Sequence, residues 1–111
     1  MKKIIMKTIH KNNDLVFELE LYDSDNQSIN VDDLKDADIE MFTLTTTEEN
    51  YIKLTKQDIT ENKIHIDNSQ LQKLSEGILY VVVHLVLYDG SFPDGSYDYT
   101  QKIETNYYIN E

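Results

Sequence analysis

Apolar and polar residues alternate along most of the chain, and turn-forming residues break the alternation at short intervals, which is the period of strands rather than helices. In the segment LVFELEL, Leu15, Phe17, Leu19 and Leu21 face one way and Glu18 and Glu20 the other, as in an antiparallel strand with one wet face. Ahead of it, Lys3 to Ile9 reads as a first strand and KNND as a turn. Beyond the polar loop DSDNQSINVDDLKD, the segment ADIEMFTLTT puts Ile39 and Met41 on one face and Phe42 and Leu44 on the other, so both faces are expected to be covered. Two short strands, YIKL and KIHI, follow on either side of TKQDITEN.

The segment DNSQLQKLSEG departs from this period. Asn68 or Ser69 can cap a helical turn, Leu71 and Leu74 share an i, i+3 face, and Gly77 can stop it, so one short helix is expected. The apolar run ILYVVVHLVLY is then the central strand and YDYTQKIETNYYI the last. About seven antiparallel strands and one short helix in 111 residues predict a single all-β domain, an immunoglobulin-like β-sandwich over residues 1–111, without the Cys and Trp hallmarks of antibody domains. Pairing Leu87 with Tyr99 sets Leu85 opposite Gln101, Val83 opposite Ile103 and Leu79 opposite Tyr107, which keeps one face apolar on both strands.

Charge narrows the range of functions. Ten lysines, no arginine and twenty-one acidic residues give a net charge of −11, which argues against phosphate and nucleic-acid binding and fits a solvated acidic surface. Zero cysteine removes disulfides, thiolate nucleophiles and zinc–thiolate sites. The opening MKKIIMKTIH is basic, but its apolar core is too short for a signal peptide, and Ile78–Tyr88 is too short to span a bilayer as a helix. A soluble protein with no membrane partner is expected.

The stretch LYDGSFPDGSYDYT holds two Asp-Gly pairs and the lone proline. It fails the twelve-residue calcium-loop pattern, as does DSDNQSINVDDL, since neither has Gly at its sixth or Glu at its twelfth position. An irregular carboxylate site on Asp89, Asp94 and Asp98 is the alternative to a hairpin tip shaped by Pro93 and Gly95 with Phe92 packed over it; the tip is the reading adopted. His10, His65 and His84 lie far apart in sequence, and the pairs Glu48–Glu49 and Asp32–Asp33 sit in polar loops without an apolar wall. No G-x-S-x-G segment or glycine-rich phosphate cradle occurs. A non-enzymatic protein without metal or cofactor is expected.

What remains is surface. With Leu79, Val81, Val83, Leu85 and Leu87 turned inward, Ile78, Tyr80, Val82, His84, Val86 and Tyr88 form an outward row that is unusually apolar for a monomer and is the candidate protein interface. Phe92, Pro93, Asp94 and Tyr97 form a candidate contact at the hairpin tip. A helix at Leu71 and Leu74, or the first strand through Ile4, Ile5 and Met6, could instead cover the row from within. Tyr97, Tyr99 and Tyr107 share a parity that Tyr108 opposes, so the tyrosines can complete the core, contact a protein or stack on a sugar.

The succession of DLVFELELYDSDNQSINVDDLKDADIEMFTL, NKIHIDNSQLQKLSEGILYVVVHLVLYDGSFPDGSYDY and TNYYI resembles small virion structural proteins of tailed phages, in particular the head-fibre and capsid-associated proteins of crAss-like phages. It is also similar to the amino-terminal immunoglobulin-like domain of phage baseplate upper proteins. The resemblance spans most of the chain and implies a non-enzymatic component of the virion, made in the host cytoplasm. Its implied partners are further copies of itself, as dimer or trimer, and capsid, tail or fibre proteins. It carries over no site residues. A carbohydrate-binding module is the second reading.

Overall fold

The computed structural model describes residues 7–22 and 25–110, and the fold they form is all-β, in two sheets. Strands β1 (Lys7–His10), β3 (Asp36–Phe42), β4 (Ile52–Thr55), β7 (Gly77–Tyr88) and β8 (Ser96–Asn110) make a five-stranded sheet in the order β1-β8-β7-β3-β4. Strands β2 (Leu15–Glu18), β5 (Ile59–Thr60) and β6 (Lys63–Ile66) make the second, in the order β2-β6-β5. The alternation seen in the sequence is the alternation of burial. Ile39, Met41, Leu79, Val81, Val83 and Leu85 from the first sheet and Ile59, Ile64 and Ile66 from the second share one core, with Leu15, Phe17, Leu19 and Leu21 packed against it.

Local chemistry sets the connections. Asp67, rather than Asn68 or Ser69, caps the short helix α1 (Asn68–Leu71): its carboxylate accepts from the Gln70 N–H at 3.0 Å while Gln70 Oε1 accepts from the Asp67 N–H at 3.1 Å. Leu71 and Leu74 are buried in the common core, so the helix does not cover the outer face of β7. Glu61 and Asn62, both at positive φ, make the two-residue turn from β5 to β6 within the segment TKQDITEN that separates the two short predicted strands. At the start of β7, Gly77 holds φ +145°, which a side chain rarely adopts.

Two further expectations need correction. The first strand is described only over Lys7–His10, since residues 3–6 lie outside the described residues. It runs parallel to β8, with Lys7 opposite Tyr107 and His10 opposite Asn110, so the strands are not all antiparallel. The hairpin register is two residues off for most of its length: Leu87 faces Tyr97, Leu85 faces Tyr99 and Val81 faces Ile103. Only at the base, where Gly77 faces Ile109 and Ile78 faces Tyr108, does the expected pairing hold. The difference is absorbed between Ile78 and Tyr80, where β8 bulges. An even number of extra residues leaves every side chain on its expected face.

Candidate functional site

The outward row of β7 lies on the face of the large sheet away from the core, and its neighbours decide what it offers. Val82 sits between Glu40 of β3 and Lys102 of β8, His84 between Asp38 and Thr100, and Val86 between Asp36 and Asp98. From Val82 to Val86 the apolar stripe is therefore one strand wide, with an acidic flank on β3 and a mixed one on β8. Ile78, Tyr80, Val82, His84 and Val86 are half-buried, and Tyr88 is 70% exposed at the hairpin end. His84 Nδ1 lies 3.9 Å from Asp38 Oδ2.

At the opposite end the face is covered by aromatics. Phe42 stacks on Tyr51 with ring centroids 4.5 Å apart and on Tyr80 at 6.0 Å, and Lys102 Nζ lies 5.0 Å from the Tyr80 centroid and 5.6 Å from that of Phe42. This ladder buries Phe42 on the outer face, as its parity predicts, whereas Leu44, given the same cover from sequence, is 70% exposed.

The hairpin tip is built by its aspartates. Asp89 accepts from the Ser91 hydroxyl at 2.6 Å and the Ser91 N–H at 3.0 Å, and these two bonds hold its carboxyl below the ordinary value. Asp94 accepts from the Ser96 N–H at 3.0 Å, and Gly95 takes φ +72°. Phe92 packs on Tyr97 at 5.5 Å, while Phe92, Pro93 and Asp94 are exposed. Both carboxylates are thus engaged in turn bonds. Among the described residues no three His, Asp or Glu side chains form a group able to hold a metal ion. His10, His65 and His84 stand on β1, β6 and β7.

Tyr97 belongs to the other side of the sheet. With Tyr99, Leu85 and Leu87 it lines an open groove of about 670 Å³ whose far wall is Glu20, Leu21, Tyr22 and Ile29. Tyr88 of the outward row and Phe92 of the tip also line this groove, so the two candidate sets meet at the hairpin end. The groove was not foreseen from sequence; its one signal there is that Tyr97 and Tyr99 share the parity of core positions, and the structure leaves them 40% and 42% exposed. Tyr107, of the same face, packs edge-on against Phe17 at 5.2 Å, and Tyr108 points outward to Glu76, its hydroxyl donating at 3.3 Å.

Comparison of the chain with protein-family models, with curated proteins and with solved structures found no match.

Proposed function

We propose that this protein is a non-enzymatic structural subunit of a tailed-phage virion, an immunoglobulin-like adaptor or decoration module that self-associates and docks on capsid, tail or fibre proteins. The observation that carries it is the stripe Tyr80–Val82–Val86–Tyr88, an apolar line on the outer face with charged flanks, which suits a contact that is apolar at its centre and polar at its rim. The immunoglobulin-like reading is supported by strand order. With β2 to β8 lettered B to G, the large sheet reads G-F-C-C′ and the small one B-E-D, as in variable-type domains, and a first strand lies beside the last. The resemblance of the sequence to phage head-fibre and capsid-associated proteins narrows the assembly to the virion.

The test is co-sedimentation with capsid and tail shells, together with sedimentation of the free subunit. Wild type is expected as a dimer or trimer that binds shells, and Val82→Glu with Val86→Glu as a folded chain that does not. A wild type that stays monomeric at high concentration and binds neither shell overturns the reading.

A second reading, a carbohydrate-binding module, is favoured by the groove, where Tyr22, Tyr97 and Tyr99 offer ring faces beside Glu20, Asp89 and Gln101. Glycan-array binding that is lost in Tyr97→Ala or Tyr99→Ala would select it over the first.

A further inference from the structure

Strand β8 pairs with β7 along one side from Ser96 onward, but on its other side β1 covers only Tyr107–Asn110. Among the described residues, Ser96–Asn106 therefore forms an open edge roughly 35 Å long at about 3.3 Å per residue. Such an edge is a template for another strand. Tyr97, Tyr99 and Ile103, each more than a third exposed, stand along the same edge on the core-facing side of the sheet.

We infer that this edge pairs antiparallel with the same edge of a second copy about a two-fold axis at Thr100. Three constraints bear on the register, and of the axes from Asp98 to Gln101 only the one at Thr100 opposes unlike charges across the pair. Pleats must match, so residues of like parity face one another. Placing the axis at Lys102 or beyond would bring Tyr97 of the second copy against Tyr107 or a later residue, where β1 already lies. An axis at Gln101 clears β1 but sets Asp98 against Glu104 twice. The axis at Thr100 sets Asp98 against Lys102 twice on the outer face, and Tyr97 against Ile103 and Tyr99 against Gln101 on the inner one. To make the ion pair, Lys102 swings from the rings of Tyr80 and Phe42 to the carboxylate of the second copy. The two large sheets become one.

This inference deepens the reading of a self-associating subunit and rests on self-association alone, independent of shell binding. The experiment is sedimentation equilibrium on four chains: wild type, Asp98→Lys, Lys102→Asp and the double exchange. Wild type and the double exchange are expected as dimers. Each single variant, which places like charges against each other twice, is expected to dissociate at least tenfold more readily, and an equimolar mixture of the two single variants is expected to form a heterodimer. The mixture guards against misfolding, because a chain that cannot fold cannot be rescued by its complement. A wild-type dimer unaffected by either exchange overturns the edge contact and leaves self-association standing. A wild-type monomer removes both. A monomer that dimerises only after deletion of residues 1–6 also overturns it, by giving the edge to the chain's own start.

Discussion

Thr105 donates its hydroxyl to the carbonyl of Leu79 at 2.7 Å, and its oxygen accepts the Tyr107 N–H at 3.2 Å, at the point where β8 carries more residues than β7. The side chain thus serves backbone groups that the ladder leaves over. Thr105→Val keeps the shape and removes both bonds, with an expected loss of about 1–2 kcal/mol in urea unfolding. Thr105→Ser should recover most of it.

A closed ring of bonds ties the end of β3 to the start of β7. The buried Thr43 hydroxyl donates to the Ser75 carbonyl at 3.0 Å, Thr46 donates to Thr43 at 2.6 Å, and the Ser75 N–H donates back to Thr46 at 2.9 Å. Thr43→Val and Thr46→Val should each cost about 1–3 kcal/mol, since each strands buried partners. The double variant should cost less than the sum, which a double-mutant cycle in urea will show.

Phe42 is buried on the outer face only because Tyr51 and Tyr80 stack on it. Phe42→Ala is expected to cost about 3 kcal/mol by chemical denaturation, as in a core, although it lies outside the common core. A loss below about 1 kcal/mol would mean that the stack adds little to stability.

In the turn from β5 to β6, Glu61 at φ 51° and Asn62 at φ 60° respond differently to substitution. Glu61→Asn should stabilise by about 0.5 kcal/mol, because asparagine tolerates this conformation better. Asn62→Gly should destabilise despite glycine's freedom. The Asn62 side chain accepts the Val31 N–H at 2.8 Å and donates to the Ile29 carbonyl at 2.9 Å, tying the turn to the segment before β3. Thermal unfolding of the two variants should shift in opposite directions.

Asp67 is held below its ordinary pKa, chiefly by the Ser69 hydroxyl and then by the Gln70 N–H. A carboxyl depressed in the fold stabilises it above the unfolded-chain value of about 3.9, and that contribution fades as pH falls through the folded value. Ser69→Ala should therefore raise the Asp67 pKa in a carboxyl NMR titration. In that variant, unfolding should depend less on pH below about 4 than it does in wild type.

Alternation made the strands legible because they are half-buried, and the same parity placed Leu79, Val81, Val83 and Leu85 inward and Tyr80, Val82 and Val86 outward. The hairpin register could not be read this way. Two-residue shifts preserve parity, and the extra residues of β8 are held by the long-range bond from Thr105 to Leu79. Nor does alternation encode a neighbour. Nothing local says that β1 lies parallel to β8, that acidic β3 flanks Val82, or that Glu20 and Tyr22 meet Tyr97 and Tyr99 across a groove. Helix α1 is legible in its polar cap segment and its leucines, but the cap is Asp67 and not Asn68 or Ser69, because Asp67 and Gln70 bond reciprocally.

The parallel pair of β1 and β8 has a mechanical meaning. Lys7 begins the first described strand and Asn110 ends the last, and the two strands lie side by side pointing the same way. Tension drawn between these ends pulls the strands along their own axes in opposite directions, so the bonds that join them share the load in shear instead of opening one after another. Among the described residues, four registered pairs take up such a load at once.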